Sequence, residues 1–307
     1  MEVTPLRRSH TPLLPSLAIL ALAAIWGYNW VVMKVGLADS GPFAFAALRA
    51  LLGAFALFAA MIALRRPLRP AAIGGAALVG LLQTTGFMAF STWALTFGGA
   101  GKVVVLAYTM PLWVLLMAWP VLGERIGTAQ WIAIGLALLG LITIVDQRRL
   151  GFQNVAADGL AILSGLAWAG GTVAAKRLRT VASIDTLSLT AWQMLLGSIP
   201  LAVIALAVPE HPVAWTPRFV GALLYSAIAG GALAFCLWFY AVSRLPAGTA
   251  GIGSLLTPII GITAAWLQLG EIPSQHELVG MVLVVTAIAL TVAGGLFAPR
   301  RAAVPET

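Results

Sequence analysis

Charge is what this 307-residue chain has least of. Asp, Glu, Lys and Arg together make up 9% of it, against 61% hydrophobic residues. A soluble domain carries about 25% charged residues. The ten acidic residues (Glu2, Asp39, Glu124, Asp146, Asp158, Asp185, Glu210, Glu271, Glu277, Glu306) all fall in loops, tails or helix ends by the sequence pattern. A midplane carboxylate, the usual seat of proton or sodium coupling, is therefore not expected. The single cysteine, Cys236, excludes an intrachain disulfide and any Cys-based zinc or redox motif. The three histidines, His10, His211 and His276, lie outside apolar stretches or at their edges, so no His cluster forms for metal or catalysis. No Gly-x-x-x-x-Gly-Lys-Ser/Thr loop occurs, so this chain is not expected to hydrolyse ATP. Cofactors, metals and catalytic residues are all expected to be absent, and the chain is not read as an enzyme. The net charge of +8 sits in short loops rather than on a continuous basic face, which argues against nucleic acid.

What the chain has is length of apolar run. Charge, Gly and Pro divide it into ten candidate helices: 15–37, 42–63, 71–96, 101–120, 127–145, 157–178, 186–207, 217–241, 247–268 and 275–297. Each approaches the ~20 residues that cross about 30 Å of hydrocarbon. The first run suits a full span better than a cleavable signal peptide. The fold expected is all-α and membrane-embedded, and its obligate partner is the lipid bilayer.

Orientation follows from Lys and Arg. With the N-terminus inside, the cytoplasmic side holds Arg7, Arg8, Arg65, Arg66, Arg69, Arg125, Lys176, Arg177, Arg179, Arg244, Arg300 and Arg301. The outer side holds Lys34, Lys102, Arg148, Arg149 and Arg218. The excess places both termini in the cytoplasm.

One pattern occurs twice. Ala100, Tyr108, Pro111, Gly123 and Glu124 return as Ala247, Leu255, Pro258, Gly270 and Glu271, each displaced by 147 residues. Trp26 and Lys34 likewise match Trp168 and Lys176, and Arg49 falls opposite Gln193. Five spans per copy is an odd number, so the second copy enters from the opposite side and the repeat is inverted. The expected organisation is a tail at 1–14, a first repeat at 15–146, a linker at 147–156, a second repeat at 157–297 and a tail at 298–307. Paired interruptions in two halves point to a transport site near the midplane. Pro111 and Pro258 are the candidate hinges, and the carbonyl freed at Ala107 is expected to face the cavity.

The motif Ala24-Ile25-Trp26-Gly27-Tyr28-Asn29-Trp30 with Lys34, Arg49 in the second span, and the two Pro…Gly-Glu units resemble the drug/metabolite transporter superfamily, and within it the ten-helix EamA-type family. The resemblance extends to the aromatic amino-acid exporter branch. It implies a ten-helix bundle around a central cavity and movement of small metabolites by alternating access. The second half has Ala169-Gly170-Gly171 where the first has Gly27-Tyr28-Asn29, so the halves differ in polar lining.

The candidate substrate contacts are Trp26, Asn29, Gln83, Phe87, Tyr108, Trp168, Gln193, Trp238 and Ser254. Indole faces hold aromatic or cationic groups. A deep Gln such as Gln83 needs a partner or water. Aromatic stripes also serve as packing or interface belts, and that reading stays open here. Lys34, Arg49, Glu124, Lys176 and Glu271 are read as structural or gating charges. Lys34 and Lys176 are expected to snorkel to the interfaces. Glu124 and Glu271 are expected to fix helix ends or pair with basic groups. Arg49 is read as tied to helix-end carbonyls near the outer surface, ahead of substrate binding.

The function expected is a bacterial-type inner-membrane exporter of amino acids and related metabolites, weakly coupled or facilitative. A multidrug or quaternary-cation exporter is the alternative, disfavoured because a cation needs a compensating carboxylate. A membrane-embedded enzyme lacks its catalytic cluster. A cavity built within one chain makes a monomer sufficient.

Overall fold

The computed structural model describes residues 13–70, 72–144, 152–181, 184–242, 244 and 247–297, all helical or in short connections, with no strand among them. Residues 1–12 of the first tail, 147–151 of the expected 147–156 linker and the whole 298–307 tail lie outside the described residues. Seven helices are long and apolar enough to cross a membrane, and three shorter apolar helices, Thr128–Ile144, Leu256–Leu269 and Gln275–Thr291, accompany them.

In chain order the elements are α1 (Leu13–Gly36), α2 (Pro42–Ala63), α3 (Ile73–Val79), α4 (Phe87–Phe97), α5 (Ala100–Ala107), α6 (Met110–Leu122), α7 (Thr128–Ile144), α8 (Phe152–Val181), α9 (Thr186–Ala207), α10 (Pro217–Leu224), α11 (Ala234–Val242), α12 (Ala247–Leu269) and α13 (Gln275–Phe297). Two π-helical segments, Gly80–Gly86 and Tyr225–Leu233, join α3 to α4 and α10 to α11 without a break. Residues 101–120, expected as one helix, are two pieces. The sixth helix begins at Phe152, earlier than the expected 157.

The reason for the break lies in Pro111. It has no N–H to give the Ala107 carbonyl, so the α-ladder cannot pass through it. The chain tightens instead, with Thr109 N–H donating to Leu106 O at 3.3 Å. The helix then restarts with Pro111 in its first turn, where a missing N–H leaves nothing unsatisfied. The Ala107 carbonyl does not face the cavity as expected. It lies against α8 at Gly165, where an added Cβ would stand 2.7 Å from it. Pro258 behaves differently, because α12 runs through it as one helix.

Both repeated glycines terminate helices. Gly123 and Gly270 each hold φ at +68°, a left-handed turn that side chains resist, and each returns its N–H to the helix it ends. The helices associate in pairs: α1 with α12, α2 with α9, α4 and α5–α6 with α8, and α7 with α13. Small residues allow the tightest crossing. At Gly140 and Gly280, a Cβ on either would come within 2.8 Å of the other's carbonyl. The core centres on α5, whose Val103–Ala107 stretch is wholly buried. The outer faces carry exposed apolar side chains such as Leu206, Leu267 and Ile142, as lipid contact requires.

Candidate functional site: an aromatic cavity with an unpaired arginine

A cavity of about 80 Å³ lies where α1, α2, α4, α8, α9, α11, the start of α6 and both π-helical segments converge. Five positions come from the π segments themselves: Gln83, Thr84, Ser226, Gly230 and Gly231. A π turn widens the helix and shifts the register of its carbonyls, and such turns concentrate at functional sites. Gly230 gives a direct example: its carbonyl accepts from Trp26 Nε1 at 2.9 Å.

Aromatic rings make the walls. Trp26 meets Phe235 edge-on at 5.8 Å, Trp30 meets Phe87 at 6.3 Å, and Phe87 meets Trp168 at 4.8 Å. Edge-to-face contacts fix ring orientation and leave other faces open to a ligand. Tyr108 stands at the break between α5 and α6 and is hydrogen-bonded to Thr257, the residue before Pro258. The two proline positions are thus in contact through one tyrosine.

Of the expected contacts, Trp26, Asn29, Gln83, Phe87, Tyr108, Trp168 and Gln193 do line this cavity. Trp238 does not. It stands behind Trp26 with ring centroids 6.4 Å apart, as a backing layer. The side chain of Ser254 lies outside the described residues. Gln83 finds its partner within the protein, donating to Thr172 Oγ1 at 2.8 Å. Sequence reasoning missed Trp30, Ser226 and the methionines Met33, Met88, Met110 and Met194. Trp30 was findable, since it follows Trp26 by four residues and shares its face. Nothing in the pattern singled out the methionines.

The charged residues divide into two groups. Most are engaged at helix ends. Glu271 accepts from Ala100 N–H and Gly101 N–H, both at 3.0 Å, and so caps α5. Lys34 does more than snorkel: its Nζ donates to Leu95 O at 2.5 Å and Gly98 O at 2.8 Å, closing the far end of α4. Lys176 pairs with Glu124 at an exposed site. Glu210 caps α2 through Phe43 N–H at 2.9 Å and Ala44 N–H at 3.0 Å. Asp39, in the loop after α1, is bridged by Arg218 at 2.7 Å. The hydrogen bonds from Arg218 and then Thr216 hold its carboxyl below the usual range.

Arg49 is the exception, because the expected tie to helix-end carbonyls is not among its contacts. It is buried, it lines the cavity, and no helix-end carbonyl is bonded to it. Its polar contact is the sulfur of Met33, while its Nε has no partner. The reason is position: Arg49 is the eighth residue of α2, two turns below the helix end, and so faces the bundle interior. Asn29 Oδ1, Gln193 Oε1 and Ser226 Oγ in the same wall are also buried without partners. A second void of about 590 Å³ opens nearer one end of the bundle, beside Lys34, Ser40, Phe43, Trp93, Glu210 and His211.

Comparison with known proteins bears on what such a cavity serves. Residues 13–146 and 155–293 match the EamA-like transporter family. An uncharacterized transporter of Bacillus subtilis, YoaV, is 28% identical over 89% of this chain and 94% of its own length. A probable amino-acid metabolite efflux pump of Salmonella typhimurium is 28% identical over 92% of this chain and 96% of its own. The Escherichia coli protein of the same description is 28% identical over 90% and 93%. A crystal structure of 21% sequence identity shares the fold, with a TM-score of 0.64 over 92% of this chain and 96% of that one. An all-helical chain with spans of membrane length, matched to the family across both halves, belongs to the EamA-like transporter family of multi-pass membrane proteins.

Proposed function

We propose that this protein exports amino acids with apolar or aromatic side chains, and related metabolites, across a bacterial-type inner membrane by alternating access. The observation that carries this reading is the cavity itself: aromatic walls, several polar groups without protein partners, and no carboxylate among the described lining residues. The relatives described as amino-acid metabolite efflux pumps support the substrate class. The substrate contacts are Trp26, Asn29, Gln83, Phe87, Tyr108, Trp168 and Gln193.

The architecture proposed is ten membrane helices in two inverted five-helix repeats, residues 15–146 and 157–297, with both termini inside. The helix pairing supports it. A two-fold relation exchanges the α1–α12 pair with the α8–α5/α6 pair, and it maps α2–α9 and α7–α13 onto themselves. The family match in two segments fits the same division. Transport is proposed to be facilitative, because no acid is among the described lining residues to carry a proton.

The test is counterflow in proteoliposomes. Vesicles loaded with unlabelled L-phenylalanine should accumulate the labelled amino acid with no imposed proton gradient. Accumulation that strictly needs the gradient would overturn the facilitative mechanism. Absence of exchange for every amino acid in a panel would overturn the export reading.

A further inference from the structure

We infer that Arg49 is the anchor for a carboxylate on the transported molecule, so that the central cavity selects organic acids and zwitterions and rejects amines that lack the acid group. The inference rests on the cavity being the transport site, and it adds a residue and a required ligand group to that reading.

A buried guanidinium without a counter-charge is costly, and in native proteins such groups are paired. Every described acid is already committed elsewhere. Asp39 is held by Arg218, Glu124 by Lys176, Asp158 by Lys102 at 2.7 Å, and Asp185 caps its own helix through Ser188 N–H. Glu210 and Glu271 cap α2 and α5, and Glu277 accepts from Ser274 N–H. None lines the cavity. The positive charge therefore waits for an anion from outside the chain. A guanidinium matches a carboxylate in plane and in hydrogen-bond spacing.

The neighbouring orphans have the complementary sense. Asn29 Oδ1 and Gln193 Oε1 are buried acceptors without donors. An ammonium group supplies donors, so a molecule with a carboxylate toward Arg49 and an ammonium toward these two amides would satisfy all three. Its remaining side chain would meet Trp26, Phe87 and Trp168. The inorganic alternative, a small anion such as chloride, would leave both amide oxygens and the aromatic walls unused.

The experiment is calorimetric titration of the purified full-length protein in detergent with L-phenylalanine, 3-phenylpropionate and L-phenylalaninol. The first two carry the carboxylate; the third keeps the amine and loses the acid. A charge-assisted contact predicts phenylalaninol binding about 10- to 100-fold more weakly than phenylalanine. Arg49→Lys should keep part of that preference, and Arg49→Gln should abolish it. A purely structural Arg49 would lower thermal stability on substitution yet leave the preference intact. Equal binding of phenylalaninol and phenylalanine to the native protein, which needs no variant to fold, would overturn the inference. If 3-phenylpropionate binds through Arg49 while no amino acid is exchanged in vesicles, the anchor stands and the amino-acid reading falls. If phenylalanine is exchanged and phenylalaninol competes equally well, the reverse holds.

Discussion

At the scale of single residues, charge in this protein is placed where backbone dipoles need it. Glu271 meets two N–H groups at the start of α5 that the helix itself cannot satisfy. Lys34 meets two carbonyls at the end of α4. Glu271→Gln should therefore remove a charged acceptor from α5 and an attractive charge from Lys34 at once. A hydrogen bond to a charged group is worth about 1.5–3 kcal/mol. The variant should show a lower midpoint of thermal unfolding in detergent, by several degrees, read by fluorescence-detected gel filtration. An unchanged midpoint would mean that water replaces the carboxylate without loss. The sequence showed that Glu271 ends a helix, since it follows Gly270 in a repeated unit. It gave no means of seeing that the helix it caps is another one, 171 residues away. Arg49 failed in the opposite direction. Its depth was visible, but its lack of partners depends on where every acid in the fold is spent, and that is settled only by tertiary packing.

At the scale of elements, the repeated prolines are the instructive case. Pattern alone makes Pro111 and Pro258 equivalent, and local structure separates them. The chain is cut at Tyr108–Thr109 and continuous at Pro258. Pro111→Ala restores the missing donor and permits α5 and α6 to join. It should slow counterflow more than Pro258→Ala does, at equal folded yield. Matching losses of transport and yield would assign Pro111 to stability alone. The expected spans were otherwise legible, because apolar runs bounded by charge and Gly describe membrane helices well. The π-helical segments were not legible. Gly80 and Gly86, or Gly230 and Gly231, read equally well as packing residues, and only the backbone reveals the extra residue in the turn.

At the scale of the whole molecule, the orientation rests on an excess of Lys and Arg on one side. That can be tested directly. In a Cys236→Ser background, His211→Cys should react with a membrane-impermeant maleimide in intact cells. Arg66→Cys should react only after the membrane is opened. The reverse labelling would turn the molecule over, and with it the direction of every gate. The family model matches residues 13–146 and 155–293, whereas the repeat alone left the cavity's membership incomplete. Seven of the nine expected contacts line it, since helical spacing places them on inward faces. Trp238 shares that spacing but lies one layer behind, and periodicity does not distinguish a lining ring from its backing.

The borrowed caps have a bearing on biosynthesis. The start of α2 is closed by Glu210, and the start of α5 by Glu271, each contributed from the other half of the chain. Synthesis runs from the N-terminus, so α2 and α5 enter the bilayer well over a hundred residues before their caps exist. The early half is thus born with bare amide ends at the membrane surface. It reaches its final form only as a template completed by the residues that follow, so the first 146 residues and those after them fold as a single unit.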